Sequence, residues 1–195
     1  MSAQQGRNRN QGATGFRRML LLLATSVALF FSAPAVAEGP SGAADVGAPA
    51  ELAWQVLTDF TAWPTFMPSI VRVGIRELGG SELKLRHETE SMGFEVAFTC
   101  HTKVDADAFR LDLHLDESEP TDLAAMDATW QVVPLPNGGA RIEFRSDVRS
   151  GAVPAFVERR MVKKSVEETV EAVAAEIERR LESMTASVAA PAQDA

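Results

Sequence analysis

Three histidines and one cysteine are the side chains of this sequence best suited to acid–base, nucleophilic or metal chemistry. His87 lies in an alternating segment, 83–89, on the apolar face, whereas His101 and His114 take the opposite parity in their segments. The three imidazoles therefore do not converge, and no Cys/His pair has zinc-ligand spacing, so we predict neither a metal site nor a cofactor. Cys100 has no evident base and no Ser-His-Asp set is readable, so we identify no catalytic residue.

Polar residues on the apolar face carry information because burying a polar group without a partner costs about 1–3 kcal/mol. The residues of this kind are His87, Thr89, Cys100, Thr102 and Ser146. If "ESMGF" (90–94) forms a tight turn, His87 lies beside Val96 or Phe98. Its imidazole then either donates to a ligand carbonyl or is satisfied by solvent or by the core near the strand end.

Two basic doublets, Arg159-Arg160 and Lys163-Lys164, stand out in "FVERRMVKKSV" (156–166). At about 100° per residue, Arg159 and Lys163 fall on the apolar side of the predicted helix, and the second member of each doublet falls away from it. Arg159 then meets either an acidic ligand group or an acid of its own chain such as Asp147. The lysines instead have Glu167 and Glu168 in reach at i, i+4.

Six alternating segments predict an antiparallel sheet with one apolar face. They are "VRVGI" (71–75), "LKLRHET" (83–89), "FEVAFTCHT" (94–102), "FRLDLHLD" (109–116), "AMDATWQVV" (125–133) and "ARIEFRSDV" (140–148). Before them, Pro49 and an i, i+4 pattern predict a short helix ending at about Thr58. After them, an apolar stripe from Val162 to Leu181 predicts one long helix, from about Val153 to Met184, that covers the sheet.

The N-terminus has the pattern of a secretory signal peptide. Basic residues precede "MLLLLATSVALFF" (19–31), and Ala35 and Ala37 form an A-x-A site, so we expect a leader over 1–37 that is removed. An uncleaved membrane anchor is the alternative, although Thr25, Ser26, Ser32 and Pro34 interrupt the apolar run. We further predict a flexible linker over 38–42, one folded domain over 43–184 and a disordered tail over 185–195.

The charge of the remaining chain argues against a nucleic-acid partner. The sequence has 19 basic and 27 acidic residues, and the leader holds four of the basic ones and no acid, which leaves 15 against 27 and a net charge of −12. Binding of polyphosphates depends on clustered Lys and Arg. We expect a periplasmic or secreted protein, with Sec and twin-arginine export both open.

The order of elements resembles the START-like helix-grip (SRPBCC) superfamily, in its polyketide cyclase/dehydrase and coenzyme Q-binding branch. The stretches that carry this resemblance are "GAPAELAWQVLTDFTAWPTFMPSI" (47–70), "MDATWQVVPLPNGGARIEF" (126–144) and the terminal helix. The resemblance implies an α+β fold, in which a curved antiparallel sheet wraps around a long C-terminal helix and short helices follow a first strand. It also implies a deep apolar cavity between sheet and helix.

We infer the candidate ligand-binding residues from strand parity, which identifies the apolar face, together with the cavity that the resemblance implies. They are Trp63, Phe66, Met67, Leu85, His87, Val96, Phe98, Leu113, Met126, Trp130, Phe144, Phe156, Arg159 and Lys163. The resemblance places the last three at the cavity opening. Alternation alone does not separate a hollow sheet from a filled one, and these residues could simply pack against the helix.

We therefore predict a carrier for a hydrophobic small molecule such as a lipid, a quinone or an aromatic metabolite. A cyclase/dehydratase-like enzyme and an accessory protein for an exported redox enzyme are the alternatives. The sequence supports catalysis only thinly, because no acid–base partner of His87 is readable and the chain has no tyrosine. Transient membrane contact and an exported protein partner are further expectations. Whether 116–126 forms a lid or a loop stays open.

Overall fold

The computed structural model describes residues 39–91 and 94–189 of the chain. Within them lie an antiparallel sheet, two short helices and one long helix. The strands are β1 (Ser41–Val46), β2 (Ile70–Gly79), β3 (Glu82–Ser91), β4 (Phe94–Asp105), β5 (Arg110–Leu115), β6 (Ala125–Pro134) and β7 (Ala140–Arg149). The helices are α1 (Ala50–Thr58), α2 (Trp63–Phe66) and α3 (Ala155–Ala189). The predicted leader and residues 190–195 lie outside the described part.

The sheet has the strand order β1-β7-β6-β5-β4-β3-β2, and every neighbouring pair is antiparallel. The α+β helix-grip fold is thereby confirmed. The register also confirms the expected pairing of β3 with β4, since His87 lies opposite Phe98. The turn between these strands, at 92–93, lies outside the described residues.

Two predicted boundaries were wrong. β1 begins at Ser41, inside the segment predicted as a linker, because Ser41 and Gly42 pair with Arg145 and Phe144 of β7. Composition alone cannot show such pairing. At the other end α3 continues to Ala189, into the segment predicted as a disordered tail.

The C-terminal half of α3 is held firmly against the rest of the domain. Val170, Val173 and Ile177 are buried in the core. Arg180 donates to the carboxylates of Glu176 and Asp59 at 2.8 and 3.1 Å, which ties α3 to the segment after α1. These contacts decide where the long helix crosses the sheet.

Close approach of α3 to β1 depends on a glycine. A Cβ atom at Gly42 would lie 3.3 Å from Cγ1 of Val166 and 3.3 Å from Cγ2 of Val170. The absence of a side chain at residue 42 therefore lets the helix rest directly on the first strand. This contact places one edge of α3 against β1 and leaves the other edge facing the middle of the sheet.

The core consists of α1, the inner face of the sheet and the apolar stripe of α3. Its fully buried large side chains include Leu57, Leu85, Leu111, Ile142, Ile177, Val56, Val132, Val166 and Val173. Val166, Val173 and Ile177 belong to the predicted helical stripe. None of the helices in residues 39–91 and 94–189 combines the length and apolar character needed to cross a bilayer.

Candidate functional site

A cavity of about 310 Å³ lies between the inner face of the sheet and the N-terminal half of α3. Its size is at the lower end of the range for small-molecule sites. The lining residues are Trp63, Met67, Pro68, Ser69, Ile70, His87, Thr89, Val96, Phe98, Leu113, Leu123, Met126, Ala128, Trp130, Phe144, Ser146, Val148, Ser150, Val153, Glu158, Met161, Val162, Ser165, Val166 and Thr169. The wall is mainly apolar, with scattered hydroxyl groups.

Two sets of stacked rings form flat parts of this wall. Trp130 of β6 and Phe144 of β7 are directly paired in the sheet, and their rings stack with centroids 4.0 Å apart at 16°. In β3 and β4, the imidazole of His87 stacks on Phe98 at 4.9 Å and on Trp63 at 5.9 Å. Cross-strand pairing and the short helix α2 together place these rings around one space.

His87 is the chemically distinctive residue of the cavity. It is only 3% exposed, and its Nε2 atom has no hydrogen-bond partner among the described residues. Burial lowers the pKa of His87 to about 4, because the apolar surroundings disfavour the imidazolium. The ring is therefore neutral at pH 7 and can donate from one nitrogen while accepting at the other.

Two other polar side chains of the cavity wall, those of Thr89 and Glu158, already have hydrogen-bond partners within the protein. The hydroxyl of Thr89 donates to the Val96 carbonyl at 3.0 Å. At the start of α3, Oε1 of Glu158 accepts from the Ser150 backbone N–H at 2.5 Å and from its hydroxyl at 2.7 Å. These two hydrogen bonds hold the pKa of Glu158 below its usual value, so this carboxylate is ionised at neutral pH.

The acidic segment between β5 and β6 is fastened to the sheet. Asp116 forms an ion pair with Lys84, and the hydrogen bond from that ammonium contributes most to lowering the pKa of Asp116 to about 2. Asp122 accepts from the Ala97 N–H at 2.8 Å and donates its own N–H to the Ala97 carbonyl at 3.0 Å. In this structure residues 116–124 form a loop that is held to the sheet by these contacts, and Leu123 of this loop lines the cavity.

Cys100, His101 and His114 lie outside the cavity lining. Burial raises the pKa of the Cys100 thiol to about 12, so it remains protonated at neutral pH. His101 and His114 face each other across β4 and β5 and contact Glu82 and Asp127 at 3.4 and 2.6 Å. No group of three or more His, Cys, Asp or Glu side chains in the described residues could hold a metal ion.

Most of the predicted site residues do line the cavity. They are Trp63, Met67, His87, Val96, Phe98, Leu113, Met126, Trp130 and Phe144. Phe66 and Leu85 do not line it. Phe66 packs against the core from α2, and Leu85 is fully buried opposite Cys100, beyond the end of the cavity. Parity identified the inner face correctly, but not which part of that face borders empty space.

The three α3 residues predicted at the cavity opening, Phe156, Arg159 and Lys163, do not line this cavity either. Phe156 is 78% exposed, and the Lys163 side chain is exposed with its ammonium 3.8 Å from Glu167. Arg159 is exposed beside a smaller cavity of about 180 Å³, which Asp147 also lines, and the two side chains form no ion pair. The ion pair considered between Arg159 and Asp147 is therefore not formed among the described residues, and contact of Arg159 with an acidic ligand stays a prediction.

Helical geometry explains this correction. At about 100° per residue from Val166, Arg159 and Lys163 fall at about +20° and +60°. Four residues of α3 that line the cavity, Glu158, Met161, Ser165 and Thr169, were missed by sequence reasoning. They lie between about −60° and −140°, on the opposite edge of α3. Without knowing which edge rests on β1, the helical pattern could not have identified them.

An open antiparallel sheet, a long helix across it and an apolar cavity between the two define a helix-grip protein. The family comparison agrees with this class. The chain belongs to the polyketide cyclase / dehydrase and lipid transport family, whose model matches residues 41–182.

Individual relatives show how far the similarity extends. The chain is 27% identical over 124 residues to a granaticin polyketide synthase bifunctional cyclase/dehydratase from Streptomyces virginiae, covering 64% of this chain and 40% of that protein. A START superfamily protein from Mycobacterium smegmatis is 26% identical with a TM-score of 0.55, covering 74% and 97% of the two chains. The Zhui aromatase/cyclase from a Streptomyces species is 22% identical with a TM-score of 0.62, covering 72% and 93%.

Proposed function

We propose that this protein is an exported carrier that holds a hydrophobic small molecule in the cavity between its sheet and α3. The observation that carries the proposal is the cavity of about 310 Å³, lined mainly by apolar and aromatic side chains. Close packing is the normal condition of protein interiors, so an apolar space of this size between two elements is a functional feature. Membership in a family described by lipid transport supports the same function.

The decisive experiment is recovery of a bound molecule. The protein is expressed with its own leader, purified without detergent and extracted with organic solvent, and the extract is examined by mass spectrometry. Ala128 lies at the cavity wall, so Ala128→Phe fills part of the space. We expect this variant to carry less than about a tenth of the wild-type amount, because steric exclusion from a packed interior is severe.

Ala125→Phe is the matched control, since Ala125 lies on the same strand but on the opposite face of the sheet. It should carry the wild-type amount. Equal recovery from both variants, or no apolar molecule from any of the three proteins, would contradict the carrier proposal. Circular dichroism of each variant verifies that the fold is kept.

Export rests on the N-terminal pattern alone, which lies outside the described residues. We propose cleavage after Ala37, so that the exported protein begins at Glu38. The intact mass of the protein in the periplasmic or culture fraction measures this directly. A chain retained with residues 1–37 would instead support the membrane-anchor alternative. Membrane contact and an exported protein partner stay predictions.

A cyclase/dehydratase-like enzyme is the second candidate, favoured by the unpartnered imidazole of His87 within the cavity. A neutral imidazole can act as a general base if it reaches the proton that it removes. The curated relative that carries a cyclase/dehydratase name is more than twice as long as the matched region, so its activity does not transfer directly. Turnover of a polyketide that His87→Ala abolishes without unfolding would support this candidate.

A further inference from the structure

Among the described residues, no positively charged side chain lines the cavity. Among its described residues, the ionisable side chains are those of His87 and Glu158. Glu158 is anionic and is hydrogen-bonded to Ser150. A carboxylate or phosphate entering this space would lose its hydration without gaining a cation, and it would be repelled by Glu158. The charge distribution therefore disfavours acidic ligands.

His87 provides the complementary observation. Its ring stacks on both Phe98 and Trp63, with centroids 4.9 and 5.9 Å apart, and the two nitrogens at its edge are the groups that can hydrogen-bond to a ligand. The Nε2 atom lacks a hydrogen-bond partner among residues 39–91 and 94–189. A buried polar atom left without a partner is unfavourable, and a ligand that supplies the missing hydrogen bond removes that cost.

We propose that the cavity selects uncharged ligands that carry a hydroxyl or carbonyl group, and that a ring nitrogen of His87 recognises this group. The proposal rests on the carrier function and specifies its cargo. An aromatic or otherwise planar skeleton fits best, because the stacked rings of Trp130 and Phe144 present flat apolar surface nearby. An aromatic alcohol or ketone satisfies both requirements, whereas a fatty acid or a lipid phosphate satisfies neither.

Three probes with the same two fused rings separate these requirements: naphthalene, 2-naphthol and 2-naphthoate. Their dissociation constants are measured at pH 7.5 by amide chemical-shift titration of the purified protein, expressed with its own leader. We expect 2-naphthol to bind about tenfold more tightly than naphthalene, as one well-formed hydrogen bond would give. We expect 2-naphthoate to bind more weakly than naphthalene.

The variant His87→Phe keeps an aromatic ring in the stack and removes both nitrogens. It should bind naphthalene within about threefold of the wild type and lose the preference for 2-naphthol. The matched control is His114→Phe, because His114 lies on the outer face and outside the cavity lining. This control should keep the preference. In the wild-type protein, the imidazole ¹⁵N shifts of His87 should move with 2-naphthol and stay almost unchanged with naphthalene.

The outcomes distinguish the inference from the carrier proposal. If naphthalene binds but the wild type shows no preference for 2-naphthol, or His87→Phe retains that preference, the inference is overturned and the apolar site stands. Tight binding of 2-naphthoate would overturn it equally. If naphthalene binds neither the wild type nor a folded His87→Phe variant, the carrier proposal itself fails. Should His87→Phe not fold, the probe ranking and the ¹⁵N shifts of the wild type still decide.

Discussion

Trp63→Ala is expected to lower the free energy of unfolding by about 3–5 kcal/mol, the usual cost of removing a large buried aromatic side chain. Trp63 is 2% exposed, and its indole N–H donates to the Leu57 carbonyl at 3.0 Å. Its ring lies 5.1 Å from Phe60 in an edge-on arrangement and stacks on His87. The substitution would therefore disconnect α2 from both α1 and β3.

Urea unfolding followed by far-ultraviolet circular dichroism measures this loss without depending on tryptophan fluorescence. Trp63→Phe is the matched variant, because it keeps a ring but removes the donor to Leu57. Its expected cost is about 1–3 kcal/mol, that of a buried acceptor left unpaired. A loss of less than about 1 kcal/mol in the alanine variant would contradict the packing of Trp63 against α1 and β3.

The wild-type protein should lose about 3 kcal/mol of stability through His87 alone as the pH falls from 7.5 to 4. Burial lowers the pKa of His87 in the folded protein to about 4 from its usual 6.5. Between these values the unfolded chain binds a proton that the folded protein does not. The stability associated with the neutral ring is therefore complete above pH 6.5 and disappears as the pH falls towards 4.

The difference in unfolding free energy between wild type and His87→Phe isolates this effect. Carboxylates such as Asp116 and Glu176, whose pKa values are lowered to about 2 by their basic partners, also lose stabilising interactions in acid. Both proteins share those groups, so their contributions cancel in the difference. Urea denaturation is measured at half-unit pH intervals. Between pH 7.5 and 4 the unfolding free energy of the wild type should fall by about 3 kcal/mol more than that of His87→Phe. Parallel pH profiles would contradict the buried, neutral state of His87.

Much of the fold could be predicted because its determinants are local and periodic. Alternation identified six strands and their inner faces, and helical spacing identified the buried stripe at Val166, Val173 and Ile177. Local sequence also narrowed the neighbour of His87 to Val96 or Phe98, because a tight turn leaves few registers that keep these residues on the apolar face, and the structure selects Phe98.

The errors arise where non-local contacts decide the structure. The composition around Ser41 and Gly42 predicts a linker, because nothing in these residues themselves indicates that β7 pairs with them. Helical spacing places Arg159 and Lys163 on the apolar side of α3, yet the cavity extends from Val166 towards the other edge of that side. Leu85 shares its face with His87, but the surrounding core fills the space beside it.

The sequence by itself determined the inner face of the sheet, the buried stripe of α3 and the acidic charge of the chain, since these depend on residue type and spacing. Only the tertiary structure decided where that face is hollow. Packing at Gly42 and the ion pairs of Arg180 set the position of α3, so Glu158, Met161 and Ser165 border the cavity and the basic doublets do not. An unfilled space results from the way in which distant elements pack against each other. The residue pattern within a single element therefore cannot predict it.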